Sequence, residues 1–173
     1  MKTNVYYHIW TPDDSDLWKI MVDDQIKRLY ASGLPKVATV KCTINGVQAS
    51  RIKHFVSLYD WINIIDCRDS DEEYEGFCLK HLYEDCVNER ATKVMYFHTK
   101  GMSHYCGVRD QYSDRKVRAV NSWRHLMEWG CIDKWKENLE KLDRYQVSGV
   151  NYCLDPWPHM SGNFWWARAD YIA

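Results

Sequence analysis

Apolar residues recur along this chain in two rhythms. Val5-Tyr6-Tyr7-His8-Ile9-Trp10, Trp61-Ile62-Asn63-Ile64-Ile65-Asp66 and Lys93-Val94-Met95-Tyr96-Phe97-His98 are short, nearly continuous apolar runs bounded by polar or turn-forming residues. That length and boundary pattern predicts buried strands. Between the runs the spacing changes. Trp18, Val22, Ile26 and Leu29 share one face of a helix over about 17–31, and Tyr74, Cys78, Leu82 and Cys86 share one face of a helix over about 71–89. Ser15 is placed to cap the first of these, and Ser32-Gly33 to stop it. Ser70 with Glu73 has the capping-box spacing for the second. Lys36 to Thr43 reads as a further strand, Asn45-Gly46 as a turn, and Arg51 to Tyr59 as a short helix.

Strand, helix and strand in alternation predict parallel βαβ units, with right-handed crossovers placing helices on the sheet. The fold class expected is therefore α/β, a mostly parallel, Rossmann-like sheet with helices on both faces. The second half adds two helical patterns, Ala119–Trp123–Met127 and Ile132–Trp135–Leu139–Leu142. Strands are expected over 146–152 and 164–167, a loop at Leu154-Asp155-Pro156-Trp157-Pro158, and the start of a helix at Asp170-Tyr171. Ser103 to Arg115 is polar and reads as a loop over a site.

Length fits one domain over 1–173. The formal net charge of -1 supplies no broad basic field, which argues against nucleic acid as a partner. Single-stranded nucleic-acid binding through aromatic rings is the weakest of the readings for the same reason. Seven cysteines, an odd number without any C-x-x-C pair, read as buried reduced thiols and point to a cytoplasmic compartment. The first residues lack the apolar core of a signal peptide, and no run is long enough for a membrane span. Nine Trp and twelve Tyr against four Phe are the anomaly, because rings with a polar tip suit sugars and bases.

The third strand run ends in His98-Thr99-Lys100-Gly101. Ligands of open α/β sheets bind beyond the carboxyl ends of strands, so a hydroxyl, a cation and a glycine there suit an anionic group. Lys100 could offset the charge on a departing nucleoside diphosphate. Near the C-terminus, His159, Ser161, Gly162 and Asn163 precede Phe164-Trp165-Trp166. Strand alternation puts Asn163 and Trp165 on one face and Phe164 and Trp166 on the other, so one pair lines a pocket and the other joins the core. Asp69-Ser70-Asp71 has the Asp-x-Asp spacing that holds Mn²⁺ or Mg²⁺ under a diphosphate. A helix cap flanked by acids is the simpler explanation of the same three residues.

The run Tyr96-Phe97-His98-Thr99-Lys100-Gly101, the Trp123-Arg124 helix, the Ser148-Gly149-Val150-Asn151 strand and Ser161-Gly162-Asn163-Phe164-Trp165-Trp166-Ala167-Arg168 together resemble glycosyltransferase-like proteins of large DNA viruses and bacterial polysaccharide clusters. The resemblance covers nearly the whole chain and implies a GT-A-like fold binding a nucleotide-sugar. It implies transfer of a sugar from a nucleoside-diphosphate donor to a hydroxyl on a glycan or glycoconjugate. His8, Trp10 and Asp66 would contact the nucleoside; His98, Thr99 and Lys100 the diphosphate. Asp155, His159 and Asn163 would meet the sugar or acceptor, with Asp155 the nearest candidate base. GT-A strands before the active site usually end in a metal-binding Asp-x-Asp, whereas this one ends in His98-Thr99-Lys100. No metal ligand is therefore assigned, Asp69 and Asp71 standing as the weak alternative. The abrupt end at Ala173 suggests a shortened or minimal version of such a domain. The rival reading is a non-catalytic nucleotide- or sugar-binding module of the same fold.

Overall fold

A computed structural model describes residues 2–70, 74–105 and 114–173. In chain order the elements are β1 (Thr3–Thr11), α1 (Trp18–Ala31), β2 (Thr39–Gly46), α2 (Ala49–Val56), β3 (Ile62–Arg68), α3 (Gly76–Val87) and β4 (Lys93–His98). There follow α4 (Met102–Tyr105), α5 (Asp114–Glu128), a π-helical turn over Trp129–Asp133, α6 (Trp135–Lys141) and β5 (Val147–Gly149). A small hairpin of β6 (Tyr152–Cys153) and β7 (His159–Met160), then β8 (Trp165–Arg168) and α7 (Ala169–Ile172), complete the described chain.

Six strands form one sheet in the order β3-β2-β1-β4-β8-β5. The first four are parallel, as the alternating pattern requires, and β8 and β5 add an antiparallel edge pairing. The chain builds outward from β1 through β2 to β3, then crosses back to lay β4 on the other side of β1. That reversal between β1 and β4 is the point where an open α/β sheet forms its binding crevice.

Alternation along each strand sorts the side chains. Val5, Tyr7 and Ile9 of β1, with Met95 and Phe97 of β4, pack into one core with Met21, Val22, Ile26 and Leu29 of α1. Tyr7 and Phe97 stack at 4.4 Å. On the opposite face Tyr6, Val94, Tyr96 and Ala167 pack against Cys78, Leu82 and Cys86 of α3. Phe164 and Trp166 are fully buried in the first core, so that pair is the packing pair. Each buried side chain of this size contributes roughly 1.5–3 kcal/mol relative to exposure.

Several local expectations are corrected. Helix α1 starts after Leu17 with no side-chain cap; Ser15 instead sits in a turn where its N–H donates to Asp13 Oδ1 at 3.0 Å. Helix α3 begins at Gly76, six residues past Ser70, so Ser70 is not its cap. Asn45-Gly46 is not a turn but the end of β2, in register with Trp10 and Thr11. The glycine is required there because its φ is 106° and a Cβ would lie 2.1 Å from Thr11 O. Part of the expected loop over 103–115 is helical, in α4 and α5, and the rest lies outside the described residues.

Arg124 of α5 is buried. Its Nη1 donates to Glu128 Oε1 at 2.8 Å, and Glu128 also accepts from Gln25 Nε2 at 2.8 Å and Arg28 Nη1 at 3.3 Å. Gln25 Nε2 in turn donates to the His98 carbonyl at 3.1 Å, which ties the end of β4 to α1 and α5. Asp24, His125 and Glu128 bring ligand atoms within 4.8 Å of one another, but Arg124 reaches both carboxylates and supplies the positive charge. Cys42, Cys67, Cys78, Cys86, Cys131 and Cys153 carry free thiols. No helix among the described residues is long and apolar enough to cross a membrane.

Candidate active site

His8 and His98 lie side by side in register at the carboxyl ends of β1 and β4, the two strands that flank the reversal. Both face α3. His8 Nδ1 is 2.9 Å from Thr43 Oγ1, and its ring meets Phe77 edge-on at 6.4 Å. Burial holds the His8 imidazole down at about 4, so it is neutral near pH 7. His98 is held well below its ordinary value by burial first, then by Lys100 and His8.

The first turn into α3 brings a carboxylate to this pair. Glu75 Oε1 is 3.1 Å from His98 Nδ1, and Asn163 Nδ2 donates to Glu75 Oε2. Asn163 Oδ1 accepts from Trp165 Nε1 at 2.7 Å, and the Trp165 ring lies 5.6 Å from Tyr96. Because β8 runs antiparallel to β4, its first residues arrive at the same end of the sheet. Burial raises the Glu75 carboxyl above its usual range, against the lowering effect of Asn163, Lys100 and Tyr96. Lys100 Nζ stands 5.2 Å from the centre of the Trp123 ring, a cation–π contact at the rim.

Beside this network lie polar atoms with no hydrogen-bond partner among the described residues. His8 Nε2, Trp10 Nε1 and both amide atoms of Asn45 are buried and unpaired. Trp10 and Asn45 are neighbours across β1 and β2, and Tyr74 turns its ring edge-on to Trp10 at 4.8 Å. Leaving such a group unsatisfied costs about 1–3 kcal/mol, and native proteins rarely tolerate several together. Tyr74 itself has a φ of 41°, an uncommon backbone for a bulky residue.

Of the residues expected from sequence, His8, Trp10, His98, Lys100, Asn163 and Trp165 gather here. Thr99 is close, but its hydroxyl bridges the Trp10 backbone, accepting from the N–H at 3.1 Å and donating to the carbonyl at 3.2 Å. Asp66 is held by Arg68 at 3.0 Å and His81 at 3.2 Å, which keep its carboxyl low despite burial. Gly162 has a φ of 88°, but the space where its Cβ would sit is filled by Met127 Sδ, 2.2 Å away, and Trp123. Its missing side chain thus admits a neighbouring helix; Ser161 N–H donates to Asn151 O at 2.9 Å.

Asp155 and His159 sit elsewhere. Asp155 is exposed in the turn of the β6–β7 hairpin. His159 lines a cavity of about 400 Å³ with Tyr145, Gln146 and Tyr171. Gln146 O accepts from Arg168 N–H, and Arg168 pairs with Lys93 at the start of β4, so this cavity lies at the amino end of the strands. A larger cavity of about 810 Å³ also opens at that end. Its cations are spent: Lys93 is paired with Asp143 and Arg168 with Asp170. Asp69 is exposed and accepts from Ser50 Oγ at 3.3 Å, while Asp71 lies outside the described residues.

Sequence reasoning passed over Glu75, Tyr74 and Asn45. Glu75 stands in an acidic run that reads as a solvated helix start. Asn45 precedes a glycine and so imitates a turn.

A family model described as "Domain of unknown function (DUF8361)" matches residues 6–173. The chain belongs to that family. No curated protein matches this DUF8361 chain in sequence. Its fold is similar to the crystal structure of a "putative nucleotide-diphospho-sugar transferase" from Desulfovibrio desulfuricans G20, with a TM-score of 0.50 at 10% identity. The alignment covers 98% of this chain and 65% of that one, so the chain spans just under two thirds of the neighbour's length. At that identity the likeness is one of fold: an α/β, mostly parallel sheet flanked by helices, consistent with a nucleotide-sugar transferase-like architecture.

Proposed function

We propose that this protein is a glycosyltransferase that moves a sugar from a nucleoside-diphosphate sugar to a hydroxyl acceptor on a glycan or glycoconjugate. The observation that carries the reading is a set of buried polar atoms at the carboxyl ends of β1 and β2 that have no partner among the described residues: His8 Nε2, Trp10 Nε1 and the Asn45 amide. An amide with both a free donor and a free acceptor matches the edge of a nucleobase, and Trp10 with Tyr74 adds flat apolar surface beside it. A similar fold in a protein named for nucleotide-sugar transfer supports the reading, though folds host many chemistries.

In this reading the nucleoside enters over β1 and β2, and the diphosphate extends toward the end of β4. Lys100, at the rim, stabilises the charge that develops on the leaving diphosphate. His98 and Lys100 do not make a site for Mn²⁺ or Mg²⁺, which prefer oxygen ligands: the imidazole faces Glu75 and the ammonium repels a cation. No step here runs through a metal. Incubation with a panel of nucleotide-sugars, following release of nucleoside diphosphate, tests the reading. Steady release from at least one donor is expected. Binding of nucleotide without release from any donor, with or without added glycans, would make the non-catalytic module the better account.

A further inference from the structure

We propose that Glu75 is the catalytic base of this site, taking the proton from the acceptor hydroxyl as the sugar is transferred. The inference rests on the transfer reading above. Glu75 lies at the entry to α3, over the ends of β1 and β4, and its side chain is 22% exposed, enough for contact with a ligand.

The surroundings fix its direction. His98 Nδ1 stands 3.1 Å from Oε1, Asn163 Nδ2 donates to Oε2, and the Tyr96 hydroxyl also engages the carboxylate. These contacts come from β4 and from the turn before β8, so two separate elements orient one acid. Such orientation is what a general base needs, because proton transfer demands hydrogen-bond reach before it demands a tuned affinity. Burial raises the carboxyl above its ordinary value and so strengthens it as a base, while Asn163 and Lys100 moderate the rise. The neighbouring imidazoles cannot take the role as well. His98 already faces Glu75, and His8 is buried against Thr43. Asp155, the acid favoured by sequence, is exposed on the hairpin.

The step balances as a single displacement. The acceptor oxygen forms a bond to the anomeric carbon, the bond from that carbon to the diphosphate oxygen breaks, and the electron pair leaves with the nucleoside diphosphate. The hydroxyl proton passes to the Glu75 carboxylate and later returns to solvent. Water can stand in for the acceptor, which makes donor hydrolysis a usable probe.

The test compares the parent with Glu75→Gln, Glu75→Asp and Asp155→Asn. UDP-glucose, UDP-N-acetylglucosamine and GDP-mannose serve as donors, and release of UDP or GDP is measured from pH 5 to 9. Glutamine keeps an acceptor for Asn163, so Glu75→Gln should fold and should bind UDP or GDP within about threefold of the parent. Its release rate should drop by about a hundredfold or more, as loss of a general base does. It should also lose the acid limb of the parent's pH profile. Glu75→Asp should recover part of the rate, and it reads the same dependence if the glutamine variant does not fold. Asp155→Asn should behave as the parent. Parent-like release by Glu75→Gln would overturn the inference and leave the transfer reading standing. A parent protein that releases nothing from any of these donors would overturn both.

Discussion

Replacing Arg124 with methionine tests whether the charge network behind the site holds the fold together. Glu128 has a fully buried side chain and Arg124 one only 6% exposed, with 2.8 Å between them. Removing one partner of a buried ion pair typically costs about 3–5 kcal/mol, because the other charge is stranded. Here Arg28, 3.3 Å from Glu128, and Gln25, at 2.8 Å, stay in place. That residual support puts the expected loss at the lower end, about 3 kcal/mol. For a domain of this length, each kcal/mol moves the melting temperature by roughly 2–4 °C, so a drop of about 6–12 °C is expected. Urea unfolding followed by tryptophan fluorescence supplies the free energy. The double variant Arg124→Met/Glu128→Gln should recover more than half of the loss, since no uncompensated carboxylate remains. A single-variant loss below about 1 kcal/mol, or a double variant no better than the single, would refute this account of the network.

Further predictions concern pH, backbone and charge. His8 is held at about 4 by burial but takes a proton near pH 6.5 when unfolded. Its contribution is therefore complete above pH 6.5 and is lost as pH falls toward 4, by about 3 kcal/mol; in a series of denaturant titrations His8→Gln should flatten that slope. Gly46→Ala forces a Cβ to 2.1 Å from Thr11 O at a φ of 106°, so chemical denaturation should show a loss of at least about 2 kcal/mol. Lys100→Ala should weaken nucleoside-diphosphate binding in a titration by roughly ten- to a hundredfold, as loss of a charge-assisted bond does, with little change in unfolding.

Much of the fold can be read in the sequence because its signals are strong and local. Lys93–His98 is buried along its whole length, and its run of four apolar residues, Val94 to Phe97, ending in polar side chains announces that. The alternation of strand and helix likewise fixes the parallel core. Signals that depend on partners distant in sequence are not legible in that way. Arg124 reads as surface because an arginine in a polar helix is normally solvated; its partner Glu128, four residues on, is buried with it because Gln25 and Arg28, about a hundred residues earlier, bond the same carboxylate. Gly46 shows the ambiguity of a local code, since Asn-Gly suits a turn equally well as a strand end crowded by Thr11. The candidate site divides along the same line. His98 and Lys100 stand at a recognisable strand end. Glu75 gains its meaning only from His98 and Asn163, and nothing in an acidic stretch singles it out beforehand.

The unpaired amide of Asn45 gives the most direct measurement. Asn45→Leu replaces a buried amide that has no partner among the described residues with an apolar side chain of similar size. If the amide is kept for a ligand, removing it should leave the protein as stable as the parent, or more stable, by up to about 1–3 kcal/mol. The same change should weaken calorimetric binding of UDP or GDP, whichever the parent prefers, by at least about tenfold. Stability held or gained together with binding lost is the predicted result. A parent that binds neither nucleotide at millimolar concentration, or an Asn45→Leu variant that binds as tightly as the parent, would contradict the claim that the ends of β1 and β2 receive a nucleoside.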